Sequence, residues 1–287
     1  MDTEIRFLDT TPIADIHACF LQAFSDYALP VDMSVRQFML MLSRRGFDPG
    51  FSVGAFSEQQ LVGCLLVGIK DQSGYVISSG VIKEFRGRAV FTSMFELLKQ
   101  RMIEHRKQEV ILEVLKQNTA AVRLYRRLGF MQTRDLEFYT GTAEVSANLA
   151  PTLHISLCGL GDLDMELCSS FWDAAPSWQN STEAMHAASS QLLCAKAELT
   201  GTCVGYACID RLTGDMPQVA VDKNHRRQGI GSSLTLHLLE AAPASRLKII
   251  NIDSTCTSLT GFCTALGLTK GGEQFEMKYR IGRSEHE

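Results

Sequence analysis

The sequence predicts an α/β fold built twice over, each copy a mixed central sheet flanked by helices. Three observations carry that expectation. Segments with strand character alternate with segments of helical periodicity along the chain. Two basic turns leading from a strand into a helix, at Arg86 and Arg226, stand 140 positions apart. Two helix ends, Gly129 and Gly267, stand 138 positions apart, with the same order of elements before each. Such a repeat in 287 residues points to two domains of ordinary size. We place them at 1–142 and 153–287, joined by a polar, small-residue linker at 143–152.

In the first copy, Ile5 to Leu8 reads as a short strand. Pro12 opens a helix whose Ile13, Ile16, Phe20 and Phe24 share one face, and Ser34 caps the next, through Phe38, Met41 and Leu42. Strands are expected over Phe51–Phe56, Leu61–Ile69 and Tyr75–Ile82, the first two joined by Ser57-Glu58-Gln59-Gln60. A basic turn from Lys83 to Ala89 leads into a helix carrying Met94, Phe95, Leu98 and Met102. Glu109 to Leu115 is a strand, and Ala121, Leu124, Tyr125 and Leu128 belong to a helix ended by Gly129. Phe130 to Tyr139 supplies a closing hairpin.

The second copy follows the same plan. Leu153–Cys158 is a strand, Leu160–Trp172 a helix, and Pro176–Thr182 a loop in which Trp178 packs. Leu193–Glu198 and Thr202–Asp210 pair as strands, and Gln218–Val221 is the strand entering the second basic turn. A helix runs from there to about Ala242, followed by a strand at Leu247–Asp253. Leu259, Phe262, Cys263 and Leu266 give the next helix its apolar face, and Phe275–Ile281 is the last strand.

The turn His225-Arg226-Arg227-Gln228-Gly229-Ile230-Gly231-Ser232 carries the clearest chemistry. A basic, glycine-bearing turn before a helix presents unpaired N–H groups and the positive end of the helix dipole, which suits a phosphate. Gly229 and Gly231 leave the backbone open to close approach by an anion. A plain surface turn capping a helix stays open as a reading of this segment alone. The dinucleotide-binding fingerprint is excluded, because the first glycine of G-x-G-x-x-G is missing and no acidic residue follows at a matching strand end. In the first copy, aligning Arg86 with Arg226 puts Ala89 at the Gly229 position and Phe91 at the Gly231 position. Alanine is tolerated there with a negative φ, and Phe91 needs its ring turned away from a bound diphosphate.

Composition narrows the class. The chain is 45% hydrophobic and 21% charged, with a net charge of -4, so no general electrostatic attraction to nucleic acid is expected. The nine cysteines are odd in number and scattered, with no CxxC pair and no Cys/His spacing for a metal. Reduced, buried thiols in a cytoplasmic protein are the expectation, without a signal peptide and without a membrane span. A serine-hydrolase elbow, an H-E-x-x-H zinc site and a Walker A loop are all absent from the sequence.

The run Leu112-Glu113-Val114-Leu115-Lys116-Gln117-Asn118 through Tyr125 to Gly129-Phe130 resembles the strand–Asn–helix–Tyr–Gly–Phe signature of the GNAT superfamily of N-acetyltransferases. The turn at Arg226–Gly231 resembles the acyl-CoA loop of the same superfamily. The Leu-Glu-Val-Leu start and the Thr133–Tyr139 tail are similar to those of two-domain members of bacterial type. The resemblance implies two tandem acyl-CoA N-acyltransferase (GNAT) domains. It implies acetyl-CoA as donor, no metal or redox nucleotide, and an amine acceptor on a small molecule or peptide.

By resemblance, the pantetheine arm lies between two parting strands, along the edge of Val219 and Val221, or of Ser79 and Val81. The diphosphate falls to Arg226, Arg227, Gln228, Gly229, Ile230, Gly231 and Ser232, or to Arg86, Gly87, Arg88 and Ala89. Asn118 orders the acyl-CoA pocket, and Tyr125 returns a proton to the departing thiolate. Glu84 and Glu113 stand as water-mediated bases. Other readings stay open: Asn118 as a helix cap, Tyr125 as a half-buried aromatic, both glutamates as solvated side chains. The second copy has Cys256 and Cys263 at the Asn118 and Tyr125 positions, with Asp253 matching Leu115 as a proton acceptor or substrate carboxylate. The first copy is thus better equipped near sulfur and the second near phosphate. An acyl-CoA sensor and a purely structural tandem repeat are the competing functions, and the oligomeric state is not legible.

Overall fold

The structure, a computed structural model, describes residues 3–26, 32–143, 153–244 and 246–282. The linker expected at 143–152 lies outside them except for residue 143. The first half runs β1 (Glu4–Phe7), α1 (Ile13–Ala23), α2 (Val35–Arg44), β2 (Val53–Ser57), β3 (Gln60–Lys70), β4 (Ser73–Val81), α3 (Val90–Glu104), β5 (Glu109–Leu115), α4 (Thr119–Arg127) and β6 (Met131–Gly141). The second half repeats that order: β7 (Leu153–Cys158), α5 (Met165–Ser170), α6 (Thr182–Ala187), β8 (Leu192–Leu199), β9 (Thr202–Asp210), β10 (Gln218–Val221), α7 (Ile230–Ala241), β11 (Leu247–Asp253), α8 (Thr257–Ala265) and β12 (Thr269–Arg280).

The last strand, β12, begins at Thr269 rather than Phe275, and three further elements differ from expectation, each for a local reason. The hairpin expected after Phe130 is one continuous strand, β6, because no glycine, proline or asparagine interrupts 131–140 and the lone Asp135 does not turn the chain. The long helix expected at Leu160–Trp172 breaks into a short turn and α5, where the Asp164 side chain accepts from the N–H groups of Glu166 and Leu167 and starts a new helix. Helix α6 went unread; Ser181 caps it by accepting from Ala184 N.

The chain forms two compact units, one of residues 1–114, 118–133 and 276–287, the other of 115–117 and 134–275. Residues 134–142 and 276–282, expected with the first and second halves, each pack with the other unit. β6 and β12 are single long strands, and each contributes residues to both units.

In the first unit β1, β2, β3 and β4 form an antiparallel ladder. β4 then pairs in parallel with β5, but only over Ser73–Tyr75 against Glu109–Ile111. Beyond Tyr75 the two strands part. The β3–β4 register slips between Leu66↔Ser78 and Val67↔Val76, so Ile77 is an extra residue in β4. Phe38, Leu65, Leu66, Phe95, Leu98 and Leu112 are buried and form much of this unit's core.

In the second unit β7, β8, β9 and β10 form the antiparallel ladder, and β11 pairs with β6. Among the described residues β10 and β11 share no ladder; their approach is marked by the Asp215–Lys248 bridge, after which they part as well. All nine cysteines are free thiols. Among the described residues no helix is long and apolar enough to cross a membrane.

The loop after each parted strand is held by one arginine. Arg86 donates through Nε to Val81 O at 2.8 Å, through Nη2 to Ala23 O at 2.8 Å, and through both Nη atoms to Asp26. Arg226 repeats the pattern: Nε to Val221 O at 3.0 Å, Nη2 to Phe171 O at 2.8 Å, and Nη1 to both carboxylate oxygens of Asp173. Each arginine thus ties a strand end to the segment after the unit's first helices through charge-assisted bonds. The Arg86 hydrogen bonds hold the Asp26 carboxyl below the usual range. For Asp173, burial pushes upward, but hydrogen bonds from Ser258 and Arg226 outweigh it and the net shift is downward.

Both loops then take the same unusual path. Residues Gly87 and Ala89 have φ of +76° and +57°, and Arg227 and Gly229 have +63° and +79°. Each loop therefore carries one glycine and one side-chain-bearing residue in the left-handed region, at opposite positions. The negative φ on which alanine at 89 was acceptable is not what the chain adopts. The fold imposes the turn, and the Cβ of Ala89 costs about 1–2 kcal/mol there.

Two outcomes follow from these loops. Ala89→Gly raises unfolding stability by about 0.5–1 kcal/mol and Gly87→Ala lowers it by a similar amount, as read by urea denaturation. Asp173→Asn destabilises by about 1 kcal/mol at neutral pH, the partial exposure of the pair screening part of its strength. A depressed carboxyl contributes above the unfolded aspartate value near pH ~4 and loses that contribution as pH falls through its folded value. The gap between wild type and Asp173→Asn in urea therefore closes on acidification.

Candidate functional site

In the second unit the parting of β10 and β11 opens a cavity of about 650 Å³. Val219 and Val221 line it from β10, and Arg226, Arg227, Gly229, Ile230, Gly231 and Ser232 line it from the loop and the first turn of α7. Gln228 is exposed and is not part of that wall. Gly231 has a packing reason beyond open backbone: a Cβ there would meet the Phe262 ring at 3.0 Å.

The other end of the cavity is polar and internally satisfied. Trp172 Nε1 donates to the Tyr206 hydroxyl at 2.6 Å, which donates to Gln218 Oε1 at 2.6 Å. Gln218 Nε2 donates to Asn180 O at 2.7 Å, and Asn180 Nδ2 donates to Ile250 O at 2.8 Å. Asn180 thereby bridges β10 and β11 where they have no ladder. Burial pushes the Tyr206 hydroxyl well above its ordinary range. Asp173 accepts from Ser258 of α8 as well as from Arg226, so one carboxylate joins the loop after β10 to the helix after β11.

The residues matching the first unit's sulfur-side pair are not placed for acid chemistry. Cys263 is 0% exposed and burial pushes its thiol up to about 12. Cys256 caps α8 without a side-chain cap bond. Asp253 lines the cavity, but its Oδ1 accepts from Thr255 N at 3.0 Å and from the Thr255 hydroxyl at 2.6 Å, which closes a turn.

In the first unit the Tyr125 hydroxyl lies 3.1 Å from Ser79 Oγ, across the stretch where β4 has left β5. Phe91 meets the Tyr125 ring edge-on at 5.5 Å and stacks on Phe95 at 6.3 Å. Phe130 packs on Tyr125 at 5.6 Å. Asn118 is the N-cap of α4, its side chain accepting from Ala121 N at 3.2 Å. Glu113 is half-buried on β5, two residues beyond the last paired position Ile111, and accepts from the hydroxyl of Tyr75, the last paired residue of β4, at 3.0 Å. Glu84 is exposed on the Lys83–Phe85 turn. Val81 supplies the carbonyl that Arg86 holds, and the Arg88 guanidinium sits 5.6 Å from the Phe85 ring centre.

The structure thus brings Tyr125 to Ser79 and Glu113 to Tyr75, while Glu84 stays on the surface turn. Sequence reasoning missed Asp26 and Asp173, the partners of the loop arginines, and the Ser79 hydroxyl. A signal for the aspartates was present: Phe24-Ser25-Asp26 and Phe171-Trp172-Asp173 repeat the same pattern at matching places in the two copies.

Comparison with known proteins gives a consistent result. The acetyltransferase (GNAT) family matches residues 14–130 and 159–259. An N-alpha-acetyltransferase 30 from Dictyostelium discoideum is 28% identical over 138 residues, which is 46% of this chain and 72% of that protein. An N-alpha-acetyltransferase from Sulfurisphaera tokodaii is 30% identical over 83 residues, 29% of this chain and 50% of that protein. Among solved structures, a tandem GNAT protein from the clavulanic acid biosynthesis pathway has a TM-score of 0.74 at 13% identity, covering 99% of this chain and 100% of that one, a likeness of fold. The two stretches matched by the family take in well over half of the sequence, one in each copy, and the chain belongs to the acetyltransferase (GNAT) family.

Proposed function

We propose that the protein is an acetyl-CoA-dependent N-acetyltransferase in which the first unit transfers the acetyl group to a primary amine and the second holds coenzyme without turnover. One observation carries the division. Tyr125 offers a hydroxyl beside the parted strand, while its counterpart Cys263 is sealed in the core. The residues suit the donor. The left-handed pairs at 87/89 and 227/229 turn backbone N–H groups into a concavity fit for a diphosphate. The amides of Gly87, Arg88 and Ala89, and of Arg227 to Ser232, would hold it. The strand ends at Val81 and at Val219 and Val221, beyond the last ladder to the neighbouring strand, would receive the pantetheine arm.

Arg86 and Arg226 act on this reading by fixing the loops, since each guanidinium is engaged by its own aspartate and two carbonyls. The amine attacks the thioester carbon directly. A backbone N–H near the extra residue Ile77 stabilises the developing oxyanion. Tyr125 gives its proton to the departing thiolate, with Asn118 holding the start of α4 in place. Glu113, half-buried at the fork of β4 and β5, relays the amine proton through water; exposed Glu84 is the weaker candidate. The names of the relatives favour an α-amino group on a peptide over a small-molecule amine.

Tyr125→Phe lowers kcat by roughly 10²-fold with little change in coenzyme affinity, whereas Cys263→Ala leaves turnover intact. Gly231→Trp removes coenzyme binding by the second unit, read as loss of one of two sites in calorimetry, while acetyl transfer persists. Wild-type turnover in Tyr125→Phe would overturn the assignment.

A further inference from the structure

The Ser79–Tyr125 contact has a counterpart that makes it informative. The repeat places Val219 at the Ser79 position and Cys263 at the Tyr125 position. Both hydroxyls are therefore replaced together, by a methyl-bearing side chain and a core thiol that pack in one apolar cluster of the second unit. The hydroxyl pair is thus complete in the first unit and wholly absent from the second. We infer that Ser79 is a positioning residue for Tyr125: its hydroxyl donates to the phenol oxygen and holds that oxygen at the stretch where β4 has left β5. The inference rests on the reading of Tyr125 as the acid.

Both partners are held from behind. Ser79 is paired with Leu65 in the β3–β4 ladder, which fixes its Cα on the closed side of the parting. Tyr125 is 8% exposed and boxed by Phe91 on one side and Phe130 on the other. The 3.1 Å bond spans the interval between two rigid supports. During transfer the new C–N bond forms and the C–S bond breaks. The Tyr125 proton moves to the sulfur, and the phenol oxygen takes the charge that the sulfur loses. Ser79 O–H, already donating to that oxygen, meets the new charge without reorganising. The ammonium proton leaves through the base and water, and solvent returns a proton to Tyr125.

Two readouts test this, one of them without substrate. In the free protein, the effects of Ser79→Ala and Tyr125→Phe on urea unfolding are non-additive, the double variant losing no more than the worse single one. Additive losses would overturn the pairing. In turnover, Ser79→Ala lowers kcat with acetyl-CoA about tenfold while KM for acetyl-CoA stays put, and Ser79→Thr restores most of it. The loss vanishes with p-nitrophenyl acetate, whose leaving group needs no proton. If Tyr125→Phe is impaired and Ser79→Ala is not, or if Ser79→Ala loses both esters alike, the role of Ser79 falls and the acid assignment survives. If neither variant is impaired, the acid assignment itself has failed.

Discussion

Each unit depends on one arginine that is held entirely by its own chain. Arg86 and Arg226 bind the carbonyl that ends a strand, a carbonyl at the end of the preceding helical segment and an aspartate beside it. With the guanidinium occupied, the loop cannot greet an anion with that charge. Beside the Arg88 and Arg227 side chains, what remains is the backbone, which passes through two left-handed residues in each loop. Strand parting, arginine tie and left-handed turn act as one device, and it is built twice.

The duplication separates features that a single copy would confound. Where the first unit has Ser79 and Tyr125, the second has Val219, which is partly buried, and Cys263, which is sealed in the core. Where the second unit keeps Gly231 against Phe262, the first has Phe91, whose ring packs on Tyr125 and Phe95. The two loops are conformationally alike despite sharing neither glycine position, because tertiary ties set φ and the residues comply. The second unit also closes its strand gap with the Gln218–Asn180–Ile250 bridge and joins its two walls through Asp173. Such fully satisfied buried networks favour a fixed cavity over a yielding one.

Much of this was legible in the residue pattern. β5, β7, β9, β10 and β11 fall where alternation and flanking turns put them, and the Ser34 cap is present with its Gln37 partner. The misses have physical causes. β6 reads as a hairpin only if a turn is placed at Asp135, and no glycine, proline or asparagine stands beside it to make one. α5 and α6 are one and a half turns each, too short for a 3.6-residue period to declare itself. Pairing partners such as Asp26 with Arg86 lie 60 positions apart, beyond any local pattern. Ala89 was misjudged because propensity argues from the residue, whereas its φ is dictated by Arg86 and the strand end. The family signature singles out Tyr125 and Asn118 as candidates, but the Ser79 hydroxyl opposite Tyr125 is visible only once β4 and α4 are in place.

The central claim is that backbone amides at two helix starts receive the coenzyme's diphosphate. Amide hydrogen exchange measured with and without coenzyme A reads those groups directly. The account predicts slowed exchange at 87–91 and 227–232 on adding coenzyme. Exchange at both loops unchanged while coenzyme is bound would contradict it.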